Sequence, residues 1–188
     1  MNSVTAPVAP PAQPDTPKDP LASLAAQVRF ADTGTLARLR RTDPLKDRQS
    51  ALFETERLLQ LAQVHATGPV RDRWALLLHC LALVQGRHDQ RTEVGTVLQR
   101  LNFSEARVRQ LVEADTPMLM SLLPRLARRL GLAGAAVNWW TLADLLLYAD
   151  GHAPGQRARA DAARQRLVRH YLSAQEHPDA EAAASRDA

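Results

Sequence analysis

Trp74-Ala-Leu-Leu-Leu-His-Cys-Leu-Ala-Leu-Val84 is the longest apolar run of the chain. It has about half the residues of a membrane span, so it reads as a buried central helix rather than a bilayer segment. Pro69 suits its first turn and Gly86 its C-terminal cap, which places the helix over Val70 to Gln85. Cys80 lies inside this run and is the chain's single cysteine, so no intrachain disulfide forms and the thiol packs in the core. Nothing in the cysteine usage calls for an oxidising compartment. Met1 to Pro20 lacks a basic stretch followed by an apolar one, so no secretory signal is read and a cytoplasmic protein is expected.

Outward from this helix, leucines recur at spacings of three and four, and no alternating strand pattern occurs. The fold class is therefore all-α. The helices are read as Leu21 to Phe30, Leu36 to Arg41, Ala51 to His65, Val70 to Gln85 and Val94 to Leu101, then Glu105 to Ala114, Met118 to Leu130, Trp139 to Ala149 and Gln156 to Leu172. Ser104, Thr116 before Pro117, and Asn138 are the N-cap candidates, and Gly131 and Gly134 separate two helices. The polar segment Gly86 to Glu93 joins two helical lobes, about 21–86 and 94–173. Six of the twelve prolines fall in residues 1–20, a composition expected to be disordered, and the Ala-rich acidic end, 174–188, is expected to fray. No internal repeat is present.

Charge is carried in an unusual form: twenty-two arginines against two lysines, Lys18 and Lys46. A coding bias toward G and C inflates Arg and Ala together and would explain the excess without function, so placement has to decide. The formal net charge of +4 understates the middle of the chain, because both ends are acidic and removing them leaves +8 on residues 21–173. Such a surplus favours polyanionic partners or an acidic protein surface. A guanidinium is always charged, and its planar fork of donors suits phosphate oxygens.

Helical phase sorts these arginines. On Met118 to Leu130 the leucines form one stripe, and Arg125, Arg128 and Arg129 centre roughly 120° from it with no acid on the same helix. Arg38 and Arg41 point away from Leu36 and Leu39. Arg109 and Glu113, four residues apart, form an ordinary solvated pair. On the last helix Arg159, Arg166 and Arg169 share the polar side, whereas Arg164 falls among the core positions, its stem over the core and its head turned outward.

Catalytic signatures are sparse. His88-Asp89 resembles the paired ligands of a metal-dependent phosphohydrolase, which needs further His and Asp ligands from other helices. His79 sits in the most apolar helix and reads as a satisfied core histidine. No phosphate-binding glycine loop, zinc-spaced Cys or His pair, or nucleophile elbow occurs, so neither enzymatic activity nor a metal or cofactor is expected. Trp139-Trp140 could stack on bases, but beside Leu142, Leu145 and Leu146 at least one of them is a core wedge. With aromatics at 4% of the chain, any strand held here would be held by its sugar-phosphate backbone, blind to sequence and sensitive to salt.

Several segments, taken in order, resemble the CasB family, the small subunit of the type I-E CRISPR surveillance complex Cascade. They are Leu36-Ala-Arg-Leu-Arg-Arg41, Trp74 to Gly86, the loop Arg87 to Glu93, Leu98-Gln-Arg-Leu101, and Glu105 to Asp115. Leu122-Leu-Pro-Arg-Leu126 and Asn138-Trp-Trp-Thr-Leu-Ala-Asp-Leu-Leu146 follow. The resemblance spans roughly residues 25 to 172; Thr42 to Val70 contributes little beyond a helix.

The resemblance implies a non-catalytic, two-lobed helical protein. Its implied partners are other Cascade subunits, a second copy of itself within the complex, and the guide RNA and target DNA backbone, with no membrane contact. It implies a role in stabilising the guide-target heteroduplex and the displaced non-target strand. Matching motifs carry that role to Arg41, Arg87, Arg91, Arg107 and Arg125; helix phase adds Arg38, Arg128 and Arg129. The family often has lysines in the loop where Arg87 and Arg91 stand, a change that keeps charge and alters hydrogen-bond geometry. The alternative is a helical scaffold or regulator that binds only protein, its arginines paired with acidic partners.

Overall fold

A computed structural model describes residues 19–47, 49–151 and 154–176. The expectations for the two ends fall on 1–18 and 177–188, outside the described residues. Nine helices are described: α1 (Pro20–Arg29), α2 (Thr33–Arg41), α3 (Leu52–Leu61), α4 (Gly68–Leu83), α5 (Val94–Arg100), α6 (Glu105–Glu113), α7 (Thr116–Leu132), α8 (Trp139–Tyr148) and α9 (Pro154–Glu176). Each coincides with a helix read from leucine spacing, and no strand occurs among the described residues. One isolated bridge joins His88 and Val137.

α4 is the axis of the bundle. Every residue from Trp74 to Ala82 is buried, because α1, α2, α3, α7 and α8 all pack against the helix. Leu76, Leu77, Leu78 and Leu81 are fully enclosed, and each such side chain contributes about 1.5–3 kcal/mol relative to exposure. α9 packs most extensively on α5 and α8, with α6 along its flank. One apolar core runs from Leu21 through α4 to Tyr171.

Local chemistry sets the ends of these helices. Asp19 caps α1 by accepting from the Leu21 and Ala22 amides, with Pro20 in the first turn. Asp32 accepts from the Thr35 amide at the start of α2, and Asn138 from the Trp140 amide at the start of α8. α7 is capped by Asp115, whose carboxylate accepts from the Met118 amide at 2.9 Å. Thr116, expected to be that cap, is the first helical residue, and its buried hydroxyl has no partner. The aspartate one position earlier reaches the same orphan amide with a charged acceptor.

At the end of α4 both Gln85 (φ 58°) and Gly86 are left-handed, and Gln85 takes the first of the two positions. The Gly86 amide then reaches back to the Leu81 carbonyl at 2.8 Å, closing the last turn. Gly86 also has a positive φ of 68°, and any Cβ there would collide with the Ala25 carbonyl and lie 2.8 Å from the Arg29 amide of α1. Gly86 therefore serves a close helix approach as much as a turn.

α5 and α9 meet with similar intimacy. A Cβ on Gly95 would strike the Leu167 carbonyl and sit 2.6 Å from the Tyr171 amide. Both neighbours are backbone and cannot rotate aside. Gly95→Ala is expected to destabilise the protein by about 1–3 kcal/mol, the usual cost of overpacking. Gly155→Ala, at an open position of α9, is expected to be neutral or stabilising by a few tenths of a kcal/mol up to about 1. Urea denaturation of the two variants side by side checks both.

Candidate nucleic-acid interface

The loop between α4 and α5 is held as firmly as a helix. The Arg87 carbonyl accepts from the Trp139 indole N–H at 3.0 Å, and the Asn138 amide donates to the Thr92 carbonyl at 2.7 Å. The Asp89 amide donates to the Val137 carbonyl at 3.1 Å, and the Asn138 side chain donates to the Gln90 carbonyl. Trp139 is fully buried, as a core wedge should be. Trp140 is half-buried, edge-on to Trp74 with ring centroids 6.4 Å apart. Its indole N–H donates to Asp19 at 2.9 Å, and Gln90 donates to the same carboxylate oxygen. Composition grouped Asp19 with the Pro-rich end, yet it caps α1 and fastens the loop through Trp140 and Gln90. No sequence signal beyond Asp19-Pro20 pointed to it.

His88-Asp89 belongs to this fastening. His88 Nδ1 accepts from the Trp139 amide at 3.3 Å. Asp89 accepts from the Arg91 amide and the Thr92 hydroxyl, bonds that hold its carboxyl below the ordinary range. Among the described residues, no group of three or more His, Cys, Asp or Glu side chains is placed to hold a metal ion. His79 is buried with Nδ1 2.7 Å from the Leu39 carbonyl, the satisfied core histidine the sequence implied. Burial pushes the Cys80 thiol far above its usual range.

Three of the eight arginines singled out from the sequence converge. Arg107 of α6 with Arg125 and Arg129 of α7 line a groove of about 350 Å³. Its apolar floor is built by Leu98, Phe103, Leu111, Leu122 and Leu126. Arg129 is positioned by two contacts: Nη2 donates to the Leu101 carbonyl at 3.2 Å, and its guanidinium lies 4.8 Å from the centre of the Phe103 ring. Among the described residues, no carboxylate lines the groove.

The other five lie elsewhere. Arg41 is exposed at the end of α2, and Arg128, also exposed on α7, acts electrostatically on buried His79 and Cys80. Arg91 is exposed on the fastened loop beside Asp89. Arg87 is half-buried and lines a different cleft together with Arg29 of α1. Arg38 is ion-paired with Glu54 of α3 and donates to Thr35 at 3.4 Å, so its charge is largely spent within the chain. Helix phase missed this pair because Glu54 comes from another helix.

Other arginines are also internally committed. Arg159 pairs with Asp144 at 2.8 Å and lies over the Tyr148 ring, and Arg166 approaches Glu93 at 4.0 Å. Arg109 pairs with Glu105 at 2.7 Å instead of the expected Glu113. That order sets the acid N-terminal to the base and in the first turn of the helix, which the helix dipole favours. Arg164 lays its stem on the core but turns its head to the Val112 carbonyl at 3.0 Å and to Asp161 at 2.9 Å.

The family model of CRISPR-associated protein Cse2 matches residues 35–172. The chain belongs to the Cse2 family. Neither the curated proteins nor the solved structures yield a match. Cse2, the family also called CasB, comprises structural subunits of Cascade. The Cse2 match takes in α3 to α8 whole, most of α2 and α9, and the groove of Arg107, Arg125 and Arg129; α1, with Asp19 and Arg29, precedes it. Among the described residues of this Cse2 chain, no helix is long and apolar enough to cross a membrane.

Burial, the largest cause for each, holds His79 and His88 below the ordinary histidine value. Such a base stays neutral in the folded state, whereas the unfolded chain takes its proton near pH 6.5. Stability is therefore full above about pH 6.5 and falls as the pH drops toward the depressed folded values. Asp144 acts with the opposite sign, since desolvation raises its carboxyl, but it does so nearer the carboxylate range. The urea midpoint is expected to decrease between about pH 7 and pH 5, and His79→Gln to flatten part of that decrease.

Proposed function

We propose that this Cse2 chain serves Cascade in the cytoplasm as a non-catalytic holder of nucleic-acid backbone. It grips strands whose sequence is read by the guide, and so stabilises the guide-target heteroduplex and the displaced non-target strand. The observation that carries this reading is the convergence of Arg107, Arg125 and Arg129, from two helices, on one groove that no carboxylate lines among the described residues. Arg41, Arg87, Arg91 and Arg128 likewise have no ion-pair partner among the described residues and offer further backbone contacts away from the groove. Arg38, paired with Glu54, contributes least.

Such a grip needs no active site. Exchanging a DNA duplex for a guide heteroduplex is nearly balanced in energy, so modest contacts to separated backbones tip it. Guanidiniums held on rigid helices make those contacts with little ordering cost, and the fork geometry suits phosphate oxygens.

A second reading, a scaffold that binds only protein, draws on the outer face of α3, where Phe53 is 76% and Leu61 62% exposed. We assign that face to contacts with other Cascade subunits or a second Cse2 copy, compatible with the first reading.

Fluorescence anisotropy with unrelated single-stranded DNA tests the main reading. Binding is expected to be sequence-independent, with log affinity falling linearly with log salt. Neutralising Arg107, Arg125 and Arg129 to Gln together should make the slope shallower by about 2, at about 0.7 per single-strand phosphate contact. Arg38→Gln should leave it unchanged. Circular dichroism verifies that the triple variant is folded. Absence of binding at low salt, or an unaltered slope in that variant, would leave the protein-only scaffold as the better account.

A further inference from the structure

We propose that the groove of Arg107, Arg125 and Arg129 takes one unstacked nucleobase onto its apolar floor, and so favours a single strand over a duplex. The proposal rests on the backbone-holding reading above and adds the part of the nucleotide that the floor receives. Phe103 and Leu122 are half-buried, and with the buried Leu98, Leu111 and Leu126 they line about 350 Å³ of space. Three exposed guanidiniums and the exposed amide of Gln110 complete the lining.

The argument begins with the floor, for which phosphates have no use. A phosphodiester backbone keeps its charged oxygens hydrated, and laying them over leucine and phenylalanine would strip that water without replacing its hydrogen bonds. Charge alone calls for arginines on an open helix face, as at Arg41 or Arg128. Here the arginines share a hollow with apolar side chains. Ligand pockets are commonly apolar with a few polar groups that fix orientation, and a nucleotide matches that division, with a flat base for the floor and a phosphate for the guanidiniums. An apolar side chain of a protein would fill the floor but leave three positive charges with no carboxylate among the described lining residues.

The floor is also held in place. The Phe103 amide donates to the Leu98 carbonyl at 3.0 Å, and the Phe103 carbonyl accepts from the Tyr171 hydroxyl at 2.6 Å. Its ring has the Arg129 guanidinium 4.8 Å from its centre, and Arg129 is itself tied to the Leu101 carbonyl. Bases splayed out of a strand stack on aromatic rings and on arginine planes. Such stacking tolerates any sequence, because every base has a π face. The scarcity of aromatics therefore does not confine the grip to the backbone, since one platform serves one base. A duplex cannot use it, because its base faces are stacked inside and only base edges reach the grooves. A single strand turns one base outward without breaking a pair.

The test uses the full chain and three probes of equal length: oligothymidylate, the same strand with every base replaced by an abasic tetrahydrofuran, and a blunt duplex. The two single strands carry the same phosphates, so charge alone predicts equal binding. Fluorescence anisotropy at low salt is expected to show oligothymidylate bound at least about fivefold more tightly than the abasic strand, the scale of one stacked base. The duplex is expected to bind less tightly than oligothymidylate despite its doubled charge. Leu122→Gln, which sets an amide into the floor, is expected to weaken oligothymidylate binding at least about fivefold while the abasic strand and the salt slope stay unchanged. Phe103→Leu serves the same purpose should circular dichroism show Leu122→Gln unfolded. Equal affinity for the two single strands, a preference for oligothymidylate that survives in the folded variant, or a duplex bound more tightly than the single strand would overturn the proposal. Equal affinity for the single strands with a linear salt dependence leaves the backbone reading standing, whereas no binding of any probe removes both, so the two failures are distinguishable.

Discussion

Four helices of this bundle end against a guanidinium from another helix. Arg40 of α2 donates to the Ala82 carbonyl near the end of α4, and Arg73 of α4 to the Leu147 carbonyl near the end of α8. Arg129 of α7 donates to the Leu101 carbonyl that closes α5, and Arg164 of α9 to the Val112 carbonyl near the end of α6. The last carbonyls of a helix lack intrahelical partners and carry the negative end of its dipole. A cation there is worth about 0.3–1 kcal/mol when exposed and up to about 2 when partly buried. Each of these bonds also locks one helix end to a neighbour, which fixes where the bundle's surfaces meet.

This use of arginine gives the composition a physical reason beyond coding bias. A guanidinium can satisfy a carbonyl and a second partner at once. Arg73 adds Asp150 at 3.0 Å, Arg164 adds Asp161, and Arg129 adds the face of Phe103. A lysine ammonium lacks the planar fork that such double service uses. The arginines consequently divide into those consumed by the fold and those left over for a ligand. Arg129 belongs to both groups, because the carbonyl and ring that hold it set it beside Arg107 and Arg125 in the groove.

The loop at residues 86–93 shows the same economy. Read as a linker because it is polar and aperiodic, it is fastened by Trp139, Asn138 and Asp19, which come from distant parts of the chain. Arg87 and Arg91 thereby stand on a rigid support. The His88-Asp89 pair, which in sequence resembled metal ligands, contributes an acceptor for the Trp139 amide and a turn-closing carboxylate.

Leucine periodicity determined the helical class, the helices found among the described residues and most of their limits, since the face a helix buries is written in spacings of three and four. The run Trp74 to Val84 likewise announced the central helix, because only burial on all sides tolerates so unbroken an apolar stretch. The caps were half legible: Asn138 was read correctly and Gly86 does close α4, with Gln85 left-handed before it, whereas Asp115 displaced Thr116, a choice that turns on one residue of backbone geometry. Charge on the arginine faces was visible in sequence, but its availability was not. That Arg38 meets Glu54, that Arg109 turns to Glu105, and that Arg107 joins Arg125 and Arg129 depend on which helices lie side by side. Helical phase specifies a direction around one axis; only the packing of several axes decides what a side chain finds there.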